Sequence, residues 1–317
     1  MSHFGGFRTL LHNSEGKLQL WLHPVSDQQC MDNMAKVVAK YQLLGALPAL
    51  GQRIATQSGP VALRLRDLVE ANRDVTLGVL WSIALKWQVP HLVNMPQLRL
   101  ETRRMLRLVQ ARTKRPANEP LDIYPDQPRI NALIKWVQAC TTLSNVHQLQ
   151  QDQASQAVRV CNFSSSFGDG RALCYLVSSY LPDWLPLAEV YQPAAPKPED
   201  VAILLEGDEE VDIDTLRAKG WCAVYEAGGC IDDTGLLKSF RDGVRHNFEL
   251  VNAATARLGR VPRMLAADDV FSGGLEEKTV ILFVAHLAQR LLELSVEDRA
   301  AHVITQALRR HAWQKKY

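Results

Sequence analysis

The chain has 317 residues, and at roughly 100–200 residues per domain this length predicts two domains. Hydrophobic residues make up 47% and charged residues 22%, with 18 Gly and 15 Pro, a balance that excludes collagen-like and low-complexity classes. The formal net charge of +2 is unevenly spread: eight acids and no bases lie between Glu199 and Asp214, against seven bases and one acid between Arg99 and Arg115. A basic body of this kind suits a polyanionic partner: nucleic acid, an acidic membrane or an acidic filament. No run of apolar residues is long enough for a transmembrane helix, and Met1 to Leu20 carries no secretory pattern. The expectation is an intracellular protein with reduced thiols, since its six cysteines show no metal-ligand spacing.

Residues 1–30 are ambiguous: Phe7, Leu10 and Leu11 followed by Trp21 and Leu22 look like the end of a helix and a connecting loop. From Met31 to Leu44 the apolar positions Met34, Val37, Val38, Tyr41 and Leu44 fall at helical spacing. A Gly- and Pro-rich loop is expected from Gly45 to Pro60, then a short helix or turn from Leu63 to Glu70. Val75 to Val89 is apolar around nearly its whole circumference, with Gly78, Ser82 and Lys86 as a single polar row. That pattern predicts a helix in the middle of a core, with Trp81 and Trp87 as packing residues and Pro90 as its stop. Leu98 to Arg112 reads as a basic amphipathic helix with Leu98, Met105, Leu108 and Val109 inward. Four prolines between Lys114 and Pro128 mark the expected domain boundary.

The second half opens on a helix with Pro128 in its first turn and Ile130, Leu133, Ile134 and Val137 on its apolar face. Gln148 to Gln156 is polar and loop-like, and Asp169-Gly170 precedes a helix through Leu173, Leu176, Val177 and Tyr180. Gln192 to Phe240 holds three prolines, the acidic run and Gly228-Gly229 without any sustained period, and reads as a long surface insertion. Helical spacing returns at Val244, Phe248, Val251, Thr255 and Leu258, closed by Gly259 and Pro262. A last core helix carries Val280, Ile281, Val284, Leu287, Ala288, Leu291 and Leu292. Strand signals are nearly absent, so the predicted class is all-α.

Catalytic chemistry finds no footing in this pattern. There is no H-E-x-x-H, G-x-S-x-G, Walker or dinucleotide-binding motif. Phe167-Gly168-Asp169-Gly170 reads as a turn into a helix, and the acids of residues 206–214 lack the spacing of a calcium loop. The expectation is no catalytic residue, no cofactor and no metal.

Several segments carry a family resemblance. Asp74 to Val89, DVTLGVLWSIALKWQV, resembles the central helix of calponin homology domains. Leu133 to Gln138 resembles the first helix of such a domain, and Asn162 to Val177 resembles its N-F-(T/S)-x-S-(W/F)-x-D-G segment. Leu181-Pro182-Asp183, Asn247-Phe248 to Leu258-Gly259, and Glu276-Glu277-Lys278 resemble later landmarks of the same domain. The long insertion, together with the passage from Leu291-Leu292-Glu293-Leu294 to Val303–Arg310, is similar to the abnormal spindle family of spindle-pole proteins. In that family the same junction opens an array of calmodulin-binding IQ motifs.

The resemblance implies tandem calponin homology domains. Residues 1–112 would form the first, 113–128 a Pro-rich linker, 129–295 the second with its acidic insertion at 192–240, and 296–317 a degenerate IQ-like helix. The first domain is expected to lack its opening helix, of which Gly6 to Leu11 looks like an internal piece, so the chain reads as a fragment, a short isoform or an incomplete gene product. The apolar flank of the Val75–Val89 helix then needs cover from residues 1–30 or from self-association. The implied role is a non-enzymatic module binding microtubules at spindle poles, with F-actin as the alternative lattice. The missing helix and the insertion count against actin. Ser82, Lys86, Gln88, Arg103, Arg104, Arg107 and Lys135, with the wider Arg99–Arg115 stripe, are the candidate filament-binding surface. Ile304 and Leu308 are candidate apolar anchors for calmodulin or a similar light chain, with Arg309 and Arg310 meeting its acidic surface. The implied location is cytoplasm, cytoskeleton and spindle pole or centrosome, with the nucleus in interphase. Neither nucleic acid nor a membrane is an expected partner.

Overall fold

The computed structural model describes residues 20, 24, 26–56, 59–113, 124, 126–149, 157–193, 235–271, 275–294, 301 and 304. The Pro-rich segment 114–123, most of the insertion, and Leu308, Arg309 and Arg310 lie outside the described residues. The chain forms two compact units, Met1–His91 and Leu92–Tyr317.

In the first unit, α1 spans Asp27–Leu43 and starts at Ser26, whose Oγ accepts from the Gln29 backbone N–H at 3.3 Å. The Gly/Pro-rich stretch expected to be loop contains an antiparallel hairpin, β1 (Arg53–Thr56) and β2 (Gly59–Ala62), paired Arg53 to Ala62 through Thr56 to Gly59. Arg53-Ile54-Ala55-Thr56 alternates exposed and buried, but four residues beside a proline give too short a period to stand out. The helix α2 (Leu65–Val69) follows, and then α3 (Arg73–Ile83), capped by Asn72 Oδ1 on the Val75 N–H at 3.2 Å. Val38, Leu47, Ile54, Leu63, Leu68 and Val75 form the core, with Met34, Tyr41, Leu65 and Val79 packed on it.

Two expectations about α3 are corrected. Of the polar row expected to face outward, only Lys86, beyond the end of α3, is exposed. Gly78 is buried against the hairpin, where a Cβ would stand 2.8 Å from the Ala55 carbonyl oxygen, so the missing side chain is what lets helix and strand approach. The outward face holds Leu77 and Leu80 instead, 38% and 51% exposed. Helix-to-strand contact, not hydrophobicity, selects which face is buried. The helix also does not stop at Pro90. Ala84–Gln88 forms a π-helical turn in which the Val89 N–H donates to Ala84 O, and α4 (Val89–Leu92) continues beyond it. Pro90 sits in the first turn of this new segment, where a missing N–H costs little.

The second unit begins with α5 (Met95–Thr113) and α6 (Pro128–Leu149), which, among the described residues, pack along one another more extensively than any other two elements. The first compact unit ends at His91, whereas the expected first domain runs to residue 112; α5 lies in the second unit, with Leu98, Met105 and Val109 buried. Leu108, expected inward, is 37% exposed. After α6 come α7 (Arg171–Ser178), α8 (Gly235–Leu258), the short α9 (Ala267–Phe271) and α10 (Glu277–Glu293). Trp136, Phe163, Phe167, Tyr175 and Phe283 are fully buried among them. α8 starts before the expected Val244: Phe240, Val244, Phe248 and Val251 are all buried at four- and three-residue intervals, so residues 235–240 are helix and not insertion.

Candidate functional site

The residues singled out from sequence fall on different compact units. In the first, Ser82 is half-buried and its Oγ donates to the Gly78 carbonyl at 3.0 Å, which commits the hydroxyl to its own helix. Lys86 and Gln88 are exposed in the π-helical turn. Trp87 between them packs on Tyr41, with ring centroids 5.5 Å apart, so the turn is anchored while its polar residues face water.

In the second unit, Arg103 and Arg107 are exposed on α5, one helical turn apart. Arg104 differs. Its Nε and Nη2 donate to Glu101 Oε1 at 2.9 and 2.7 Å. Glu101 is 4% exposed and faces Tyr180, whose hydroxyl accepts from Trp136 Nε1 at 2.8 Å. Burial, the nearby Cys140 and Glu101 together push the Tyr180 phenol well above its ordinary range. The Cys140 thiol is driven up by burial and then by Glu101. Arg104 thus neutralises a carboxylate that joins α5 to Cys140 of α6 and to Tyr180, just beyond α7. Lys135, on α6, is half-buried and already has an interaction partner. Ile304 is helical and 58% exposed.

Sequence reasoning did not single out Pro96 and Leu100. Together with Arg99, Arg103, Arg104 and Arg107 they line an open groove of about 580 Å³ along α5. The signal was the four-residue recurrence of Arg99, Arg103 and Arg107, with Leu100 and Leu108 beside it.

The segments that resemble the family motif do structural work. Asn162 Oδ1 accepts from the Ser164 and Ser166 N–H groups, both at 3.1 Å, and Ser166 Oγ accepts from the Cys161 N–H at 2.9 Å. Asp169 receives the Arg171 N–H at 2.9 Å and its Nε at 2.7 Å, which starts α7. Asn247, fully buried, donates to the carbonyls of Asp169 (2.9 Å) and Tyr191 (3.2 Å) and accepts from the Tyr191 N–H (2.9 Å). One amide thereby joins α8 to the turn before α7 and to the chain leaving for the insertion. Among the described residues no group of His, Cys, Asp and Glu is arranged to hold a metal ion, and no helix is long and apolar enough to cross a membrane.

Residues 127–293, just over half of the chain, match the Calponin homology (CH) domain family. The chain belongs to the calponin homology family. Its matched segment takes in α6 to α10 and every motif hydrogen bond above, and it leaves α5 outside. Among curated proteins the chain is similar to the abnormal spindle-like microcephaly-associated protein homolog of Ovis aries, 28% identical over 293 residues, which is 86% of this chain and 8% of that protein. The Mus musculus homolog is 29% identical over 288 residues (85% and 9%), and that of Gorilla gorilla gorilla 27% over 320 residues (95% and 8%). The chain spans less than a tenth of these relatives' length, but the similarity runs well beyond the calponin homology segment.

Proposed function

We propose that this chain is a non-enzymatic, spindle-associated cytoskeletal binding module, and that its lattice is the microtubule near spindle poles. The observation that carries the reading is the arginine face of α5, held against a calponin homology domain by the buried Glu101. The similarity to abnormal spindle-like proteins supports the spindle setting. In this reading the first unit is the preceding calponin homology domain, with Lys86 and Gln88 as its contribution. Arg103 and Arg107 are that of the second, with Arg104 as a positioning residue. Residues 296–317 then lead into calmodulin binding through Ile304, Leu308, Arg309 and Arg310. The working location is cytoplasmic and cytoskeletal. Attraction between guanidinium groups and an acidic lattice is multivalent and weakens with salt.

Co-sedimentation tests this directly. The purified chain should pellet with microtubules at low salt, less so at about 0.15 M, where the Debye length is about 8 Å. Arg103→Glu with Arg107→Glu should release it, with the helical circular dichroism unchanged. Pelleting with F-actin alone would replace the lattice with actin. Pelleting with neither, from a folded sample, would defeat the filament reading.

A further inference from the structure

α5 has two faces with different fates. Leu98, Glu101, Met105 and Val109 are buried within the second unit. On the opposite side Arg99, Arg103 and Arg107 rise in steps of about 6 Å, four residues at a time. Beside them stand Leu100, 66% exposed, and Leu108, 37% exposed, with Arg104 between. Arginine stems are themselves apolar, so the groove lined by Pro96, Leu100 and the four arginines has a greasy floor and a guanidinium rim, and Leu108 lies beside it. Among the described residues neither Arg103 nor Arg107 has a carboxylate partner, whereas Arg104 is already held by Glu101. A surface meant only to repel its own kind has no use for large leucines in this register.

We propose that this groove receives an acidic amphipathic helix of a partner protein. Carboxylates at i, i+4 and i+8 face Arg99, Arg103 and Arg107, and an aliphatic stripe beside them packs on Leu100 and Leu108. The four-residue recurrence of the arginines is itself helical, so a second helix laid along α5 brings its own recurrence into register over about three turns. Bidentate guanidinium–carboxylate pairs set the register, and the leucines supply apolar burial that a bare polyanion does not offer. A nucleic acid fits less well, because α5 holds no aromatic side chain on which bases stack. A bilayer fits less well too, because the continuous apolar stripe of α5 is already buried and only two leucines remain outside. The proposal shares the α5 arginines with the filament reading but adds Leu100, which an acidic lattice does not require.

The test is fluorescence anisotropy of the full chain with a labelled peptide of about 18 residues, five helical turns. The peptide carries Glu at i, i+4 and i+8 and Leu at adjacent positions in an Ala/Gln background. A control peptide has the same composition in permuted order. The ordered peptide should bind at least about tenfold tighter than the permuted one, a difference of about 1.4 kcal/mol. Leu100→Gln and the Arg103→Glu, Arg107→Glu pair should each remove about tenfold. Both variants alter exposed positions, so circular dichroism should match the parent. Equal binding of the two peptides, or no effect of Leu100→Gln, overturns the proposal. So does tighter, α5-dependent binding of duplex DNA or of phosphatidylserine-containing vesicles. Microtubule pelleting of the Leu100→Gln variant separates the two readings. If the peptide fails but pelleting persists, the filament reading stands alone. If the peptide binds but nothing pellets, the helix groove stands without the filament.

Discussion

Gly170 and Gly259 both hold left-handed backbone, at φ 75° and 69°, but their surroundings differ. A Cβ on Gly170 would stand 2.9 Å from the Asn247 Cβ and press on the Phe248 ring, whereas one on Gly259 would meet nothing within 4 Å. Gly259→Ala should therefore cost only the backbone term, about 1 kcal/mol. Gly170→Ala should add overpacking against the Asn247 clamp and cost about 2–4 kcal/mol in all. Urea titrations that give equal losses would remove Asn247 as the junction of the second unit. Burial also makes this unit sensitive to alkali. The folded state keeps protons on Cys140, Cys174 and Tyr180, whose acidities burial weakens, while the unfolded chain releases them from about pH 8.5 for the thiols and about pH 10 for the phenol. Bound protons are then more numerous in the native state, so stability is full below about pH 8.5 and falls as pH rises above it. Cys140→Ala should flatten part of that fall. A stability independent of pH between about 8 and 10.5 would refute the assignment.

For a single helix, α5 shows how far periodicity reaches. Its existence and extent were legible, since Met95–Thr113 contains the expected Leu98–Arg112. Its ownership was not, because an apolar stripe says that a helix is buried without saying against what. The spacing predicts Leu108 inward with Leu98, Met105 and Val109, but the buried arc is narrower and runs through Leu98, Glu101, Met105 and Val109. Glu101 escaped notice because a buried carboxylate looks like any surface glutamate until its Arg104 partner is placed. The hairpin was hidden among Gly and Pro, and the burial of Gly78 could not be guessed from an apolar run in which every other face looked greasier. The motif of residues 162–170 was legible as a family mark, though its role as a network of turns needed coordinates. The two faces of α5 predict opposite mutational costs. Leu98→Ala and Met105→Ala should each destabilise by about 2–4 kcal/mol through cavity formation. Leu108→Ala should stay within about 0.5 kcal/mol. Similar losses at Leu98 and Leu108 in denaturant unfolding would mean that the helix is turned otherwise.

The compact unit that starts at Leu92 is longer than the calponin homology match that starts at residue 127. α5 contributes three apolar side chains that are at most 4% exposed, each worth about 1.5–3 kcal/mol of burial. Their sum approaches the whole net stability of an ordinary domain, about 5–15 kcal/mol. A fragment of residues 92–294 should therefore melt as one cooperative transition. A fragment of residues 127–294 should bind a hydrophobic dye and lose near-ultraviolet circular dichroism; an unchanged melting profile would show α5 to be dispensable. The junction at Asn247 bears on the molecule in another way. Tyr191, just before residues 194–234, is hydrogen-bonded through both its N–H and its carbonyl to Asn247, and its ring lies against Gly243 in the helix that follows them. The described residues on either side of that segment are thus joined at one place. Such a site is a natural port for evolutionary tinkering: whole segments can be gained, lost or exchanged there at an entropic cost that grows only logarithmically with length. A fluorescent protein spliced between residues 205 and 215, inside the insertion expected from sequence, should leave the melting transition of the second unit where it is.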